Sequence, residues 1–516
     1  MTSVAGRRNA VCAVAAAVSA LLLWAAYPPH SETFSILVAL VPLLVVSRVC
    51  TPRTSAVVFF LSGLCHWMLS LSWMPAIIKN NGPWPLVFLG WFALAAYCAL
   101  YFAAYGWLAS QVWRKCARMS RIAPVVCVFA EAAIWVMLEL LRATLFGGFA
   151  WNCLGTAFAG MPSFATPARF GGVYAVSAMA VLMNGVFATL LVRVFAPVAG
   201  WEVLSAAGSR GVRRMVQICE TGLPLLSILA CLGAGNAAVR EEAAARLSDP
   251  VHIRVALVQR NAPCCFKPGA KEDAYEAFGR LMDSVSAVKP DLVVLAESAM
   301  AEFGSVRSFR AQDVALAFLE RAGARYLIAG GDDIVSNRTY NAAALYARNG
   351  EGGAGFVDAY RKQHLVPFGE YIPFDKAIPA LQKLSPIGVS LYPGEPKLFT
   401  LALSCGRKVK VAPLICYEDT DPRLASRAKR MGADLIVLIT NDSWFSASAE
   451  AEAHASQAVL RAVETGLPVV RVGNSGVSGV IRPNGMANWL SDSSGRPVVD
   501  GRGVMVETVA LHAESK

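Results

Sequence analysis

Acidic side chains are scarce at the front of this chain: residues 1–235 hold five of its 36 Asp and Glu, and 15 of its 47 Lys and Arg. A water-facing domain carries charge on about a quarter of its residues, so this stretch is not one. Charge is scarce overall, at 16% against 55% hydrophobic residues in 516. The deficit stops near residue 236. Beyond it stand 31 acids and 32 bases, so the front half is apolar with net charge +10 and the back half is close to neutral. A neutral back half lacks the basic footprint that a phosphate backbone needs, and nucleic acid is not an expected partner.

A disulfide or zinc framework is missing too. Nine of the 13 cysteines lie in the apolar half, where a free thiol is a small hydrophobe. The other four, Cys264, Cys265, Cys405 and Cys416, form no CxxC pair. With six scattered histidines, no protein-bound metal and no cofactor is expected.

What the front half does have is long apolar runs. A spanning helix needs around 20 such residues, and seven candidates stand at roughly 10–27, 34–47, 55–74, 84–112, 122–141, 171–195 and 215–235. The second is short and contains Pro42. Arg7 and Arg8 before the first run resemble a signal-peptide start, but six further spans favour an anchor. With the N-terminus inside, 12 Lys and Arg fall on the inner side and three on the outer. The expected organisation is therefore a membrane domain over 1–235, a helical connector over 236–251 and an outer domain over 252–516. The expected location is the cytoplasmic (inner) membrane, with the outer domain on the periplasmic side. Glu139 and Arg142, near a helix end, suit either a functional pair or a local one at the interface. Trp151 and Asn152 are candidates for contact with head groups.

From about 252, short apolar runs alternate with helical segments. IRVALVQ (253–259), DLVVLA (291–296), YLIAGG (326–331), NAAALYA (341–347), GFVDAYRK (355–362), VKVAPLIC (409–416) and DLIVLIT (434–440) read as strands. Helices are expected near 271–288, 311–322, 421–431 and 449–465, giving an α/β domain with covered sheets. Three ionisable residues stand at strand ends: Glu297, Lys362 and Cys416. Open α/β sheets gather their sites at such ends. A carboxylate can take a proton from a thiol, and a lysine can stabilise an oxyanion, so the three suffice for acyl transfer through a thioester. Taken singly, a strand-end Cys serves as well in a core, and a Glu or Lys as well on a solvated face.

The stretches LAES (295–298), YRKQHLVPFGEYIPF (360–374), LICYED (414–419) and NDSWF (441–445) resemble the nitrilase (carbon–nitrogen hydrolase) superfamily. With the apolar half in front, and LELLRATLFGGFAW (138–151) within it, the resemblance narrows to the membrane-bound apolipoprotein N-acyltransferase branch. It implies a multi-pass helical membrane domain followed by an αββα sandwich. It also implies transfer of a fatty acyl group from a phospholipid to the N-terminal amine of a diacylglyceryl-cysteine apolipoprotein, by a monomer. Glu297 matches the general base, Cys416 the acylated nucleophile and Lys362 the oxyanion stabiliser. Glu370 matches a second essential glutamate, and Tyr417 and Glu418 follow the nucleophile as supporting residues, their N–H groups being candidate oxyanion donors.

Trp444 and Phe445 suit an acyl pocket or packed core equally. Leu384, Ile387, Val389 and Leu391, in the apolar stretch LSPIGVSLYPG (384–394) with Gly388 and Gly394 as candidate hinges, suit a lid at the membrane surface or a packed loop. Leu295 and Ala296 stand where many relatives have Trp-Pro, and 503–516 is too short and polar to cross a bilayer, so the tail should stay with the outer domain. Two other readings remain: a membrane-tethered amidohydrolase of the same fold, and a silent lipoprotein-binding scaffold.

Overall fold

The computed structural model describes residues 4–80, 82–116, 123–199, 210–248, 250–263, 274–348, 353–373, 375, 390–445 and 448–511. Leu384, Ile387, Val389, Cys264 and Cys265 lie outside the described residues. The chain divides into two compact units, Met1–Pro75 with Pro83–Ala238, and Val239–Lys516 with Ala76–Gly82.

The first unit is helical: α1 Val4–Ala25, α2 Val41–Val49, α3 Pro52–Ser70, α4 Trp84–Cys116, α5 Ala123–Arg142, the single turn α6 Pro162–Ala165, α7 Ala168–Ala199 and α8 Arg210–Ser248. Five segments among the described residues are long and apolar enough to cross a bilayer: Pro52–Lys79, Trp84–Lys115, Ala123–Arg142, Ala168–Phe195 and Arg214–Ala245. The first two expected spans are shorter, Asn9–Ala25 and Thr33–Val49. The second breaks into a 3-10 turn, Thr33–Leu37, and α2, with Pro42 in the opening turn of α2. A proline lacks the N–H that a mid-helix position must donate, so the helix starts at it. The 236–250 stretch continues α8 without a break up to Ser248.

Between α5 and α7 the chain leaves the regular helix, and residues 150–159 are all buried. Irregular backbone at membrane depth survives only where protein satisfies it. Arg142 donates to the carbonyls of Phe149 at 2.9 Å and Trp151 at 2.7 Å. Tyr27 donates to Cys153 O at 3.1 Å, Thr33 to Ala157 O at 3.0 Å, and Glu139 accepts from Leu154 N at 2.8 Å. Glu139 and Arg142 therefore brace a buried loop. Trp151 and Asn152, 3% and 6% exposed, are part of that core and do not face head groups.

The second unit is a two-sheet sandwich. Its strands are β1 Val251–Gln259, β2 Leu292–Leu295, β3 Tyr326–Val335, β4 Arg338–Arg348, β5 Ala354–Arg361, β6 Phe399–Ala402, β7 Lys408–Ile415, β8 Leu435–Thr440, β9 Val469–Gly473, β10 Gly479–Ile481, β11 Ala487–Trp489 and β12 Gly503–Leu511. The helices are α9 Ala274–Asp283, α10 Phe309–Ala322, α11 Pro422–Arg430 and α12 Glu450–Thr465. One sheet runs β12-β1-β2-β3-β4-β5 and the other β11-β10-β9-β8-β7-β6. Each has three parallel strands at its centre, β1-β2-β3 and β7-β8-β9, flanked by antiparallel ones. Alternation along β1 shows the layering. Val255 and Leu257 pack with Val411, Ile415, Val437 and Val470 between the sheets, while Ala256 and Val258 pack outward with Phe278 of α9 and Phe318 of α10. The other sheet carries α12 against β9 and β10. The tail forms β12, an edge strand antiparallel to β1 from Val251↔Leu511 to Gln259↔Gly503.

Candidate active site

Parallel neighbours place their C-terminal ends on one edge, and the three expected residues meet there. Glu297 stands two residues past β2, Lys362 directly after β5 and Cys416 directly after β7. The Lys362 ammonium lies 3.6 Å from Glu297 Oε1 and 2.9 Å from Glu370 Oε1. Asn341, on β4, donates to both carboxylates, at 2.7 Å and 2.6 Å. Its carbonyl also accepts the Lys362 backbone N–H at 2.8 Å. Lys362 is 1% exposed and Glu297 8%, so the cluster is held almost out of water. Glu370 Oε2 takes the Val366 N–H at 2.8 Å, which closes the PFGE loop around the lysine.

Burial alone would strip the lysine of its charge, but Glu370, Glu297 and the nearby thiol outweigh it and raise the ammonium's pKa. Glu297 moves up from the usual carboxylate range, because burial and Glu370 raise it more than Lys362 lowers it. That is the direction a general base needs. Burial and the Glu297 charge also push the Cys416 thiol up, with Lys362 opposing. The resting thiol thus keeps its proton until a base takes it.

Cys416 is half-buried and has a left-handed backbone, φ 51°. A non-glycine residue there costs about 1–2 kcal/mol, so its turn has to be clamped. Glu418 is the clamp. Its fully buried carboxylate accepts the N–H groups of Ile415 at 2.8 Å, Gln363 at 2.6 Å and His364 at 3.1 Å, and Tyr360 Oη at 2.8 Å. The next residue, Tyr417, meets the His364 ring edge-on at 5.2 Å. One carboxylate thereby ties the Cys416 turn to the chain just past Lys362.

Trp444 and Phe445 stand half-exposed at the end of the 3-10 turn Asp442–Phe445 that follows β8. Leu391 is half-buried, and its N–H donates to Glu370 O at 2.8 Å. Sequence reasoning missed Asn341, which looked like the first residue of an apolar strand. It also missed a buried charged group, Asp419, Asp442, His454 and Arg471, whose members are spread over 53 residues. The NDSWF match marked Asp442's neighbourhood but not its partners.

Gly330 on β3 is a further omission. A Cβ there would lie 2.5 Å from Glu297 Cα and 2.7 Å from Ser298 N, both backbone atoms that cannot swing away. Gly330→Ala is expected to displace the base by around an ångström and cut turnover about 100-fold. The melting temperature should fall by only a few degrees, as for a loss of roughly 1–3 kcal/mol. Steady-state kinetics beside thermal unfolding checks this; an alanine variant with wild-type turnover contradicts it.

A sandwich of this layering, with a carboxylate, an ammonium and a thiol at its strand ends, is that of a carbon–nitrogen hydrolase, and the family profile of that description matches residues 254–491. The profile described as apolipoprotein N-acyltransferase N-terminal domain matches residues 19–186. A relative from Geobacter metallireducens described as apolipoprotein N-acyltransferase is 28% identical over 506 residues, covering 96% of this chain and 89% of its own. One from Allorhizobium ampelinum with the same description is 29% identical, covering 88% and 76%. Among solved structures, an amidase from Nesterenkonia sp. AN1 with an active-site cysteine aligns at 19% identity and a TM-score of 0.36, covering 49% of this chain and 92% of that one. The chain carries an apolipoprotein N-acyltransferase N-terminal domain and a carbon–nitrogen hydrolase domain, is similar over most of its length to proteins described as apolipoprotein N-acyltransferases, and is a membrane-bound acyltransferase.

Proposed function

We propose that the protein moves a fatty acyl chain from a membrane phospholipid to the N-terminal α-amino group of diacylglyceryl-cysteine lipoproteins, with Cys416 as the carrier. The observation that carries this reading is the buried pair of Lys362 and Glu297, joined by Glu370, near the Cys416 thiol, on a chain that also has segments long and apolar enough to cross a membrane. Glu297 takes the thiol proton as sulfur attacks the ester carbonyl. Lys362 faces the oxyanion, and the proton returns to the departing lysophospholipid hydroxyl. The lipoprotein amine then attacks the thioester, gives its proton to Glu297 and releases Cys416. Both substrates are held in the bilayer by their own acyl chains, which is why the domain is carried on a membrane unit. The excess of Lys and Arg on one side of the spans supports a periplasmic catalytic domain, over 252–516, on the inner membrane.

Mass spectrometry of the Cys416 peptide after incubation with phospholipid tests the reading. An added acyl mass is expected that persists in buffer, disappears with hydroxylamine, and is consumed by a diacylglyceryl peptide with a free amine but not by its N-acetylated form. An unmodified Cys416 overturns it. An adduct that water clears without any acceptor supports the amidohydrolase alternative instead.

A further inference from the structure

The sandwich buries a second group of charges that this chemistry leaves unused. His454 on α12 is 2% exposed, with Nδ1 3.0 Å from Asp442 Oδ1 and Nε2 3.0 Å from Asp419 Oδ1. A ring with a carboxylate at each nitrogen carries both protons. Arg471, inside β9, reaches Asp442 Oδ2 at 3.1 Å. Burial pushes the Asp442 carboxyl up, yet Arg471 and His454 hold it well below the usual carboxylate range. Donor atoms of Asp442, Glu450 and His454 lie within 4.8 Å of one another, a spacing that also suits a cation. Here the imidazolium and the guanidinium already supply that charge.

Thr440, the last residue of β8, links this group to the nucleophile. Its Oγ1 stands 2.8 Å from Asp442 Oδ1, and the parallel register of β7 and β8, Ile415 opposite Ile439, sets Thr440 beside Cys416 at the neighbouring strand end. A threonine hydroxyl has one hydrogen to give. While sulfur is a thiol, that hydrogen points at the Asp442 carboxylate. Once the proton has gone to Glu297, the sulfur is the needier acceptor and the hydrogen turns to it. The turn is cheap only if Asp442 stays satisfied without it, and His454 and Arg471 see to that.

We propose that Thr440 is a further catalytic residue, which donates its hydroxyl hydrogen to the Cys416 thiolate, and that His454 is the positioning residue that releases this hydrogen by holding Asp442. The inference rests on Cys416 being the nucleophile, as set out above. Asp419, three residues past Cys416, anchors the same ring to the nucleophile's own turn. The bond to the thiolate exists only after deprotonation, so its removal acts on rate and not on phospholipid affinity.

The test uses the full-length protein in detergent. Iodoacetamide labelling of Cys416, read from its peptide by mass spectrometry, reports thiolate reactivity with no substrate present. Acyl-enzyme formation over a range of phospholipid concentrations reports the first chemical step. Thr440→Val is expected to slow both roughly ten- to a hundredfold, the worth of one hydrogen bond to a charged group, with an unchanged half-saturating phospholipid concentration. Thr440→Ser should recover most of the rate. Thr440→Ala decides the matter if the valine variant does not fold. His454→Gln should slow labelling as well, and the double variant should be no slower than the slower single one.

Wild-type labelling of the valine or alanine variant overturns the proposal, as does equal slowing by serine and valine, which would mark packing as the cause. Losses that multiply in the double variant remove His454 from this route. A wild-type protein that takes up no acyl chain sinks the thioester reading, and the labelling series still decides the role of Thr440.

Discussion

Changing Cys416 to Ser is expected to leave a folded protein whose lipoprotein acylation falls by a factor on the order of 10⁴ or more, the scale seen when a covalent nucleophile is removed. The side chain is half-buried, and serine differs from it by one atom, so packing changes little. The left-handed turn at φ 51° is held by Glu418 through main-chain N–H groups, which the substitution does not touch. What changes is the proton. An alcohol holds its proton several units more tightly than a thiol. Glu297, although raised above the usual carboxylate range by burial, is far too weak a base to take it. Acylation of a diacylglyceryl peptide, measured beside thermal unfolding, checks both halves of this expectation. A serine variant that keeps a tenth of the wild-type rate would put the nucleophile elsewhere.

The residues that could be found in the sequence are those whose physics is local. A strand buried on both faces must be a short unbroken apolar run, so β1, β2, β7 and β8 stood out, and with them the strand-end positions of Glu297 and Cys416. Bilayer thickness filters helices by length alone, which is why the long spans were legible and the broken second one was not. What stayed hidden depends on pairing over distance. β9 contains Arg471, and a charge inside a strand reads as a surface; it is fully buried because Asp442, 29 positions earlier, meets it. β12 is interrupted by Glu507 and Thr508 and finds its place only against β1, about 250 residues away in sequence. Asn341 matters because β4 lies beside the strand that ends just before Lys362. Its two hydrogen bonds to Glu297 and Glu370 follow from that register and from nothing in its own neighbourhood. Arg142 and Glu139 looked like a pair three residues apart, whereas each serves the loop that runs between α5 and α7.

Replacing Lys362 by Met should cut turnover about 10²–10³-fold and also change how stability depends on pH. Among the described residues, the ammonium is the one cation paired with both Glu297 and Glu370, at 3.6 Å and 2.9 Å, and it faces the developing oxyanion in the proposed mechanism. Loss of such a donor typically costs 10²–10³ in rate. The stability effect follows from what is left behind. Methionine fills the space, but the buried Glu297 carboxylate then shares Asn341 with Glu370 and has no positive charge beside it, and removing one partner of a buried pair costs about 3–5 kcal/mol. Glu297 can relieve this by taking up a proton. Lys362 now holds the Glu297 pKa down while burial and Glu370 push it up, so its removal sends that pKa higher still. A carboxyl whose folded pKa exceeds its unfolded value contributes stability that is complete below the unfolded value. That contribution is lost as pH rises through the folded one. The variant should therefore lie closest to wild type in melting temperature near pH 5 and fall progressively below it toward pH 8. Thermal unfolding across that range decides the point: a deficit that is the same at every pH would mean that Glu297 does not depend on Lys362 for its charge.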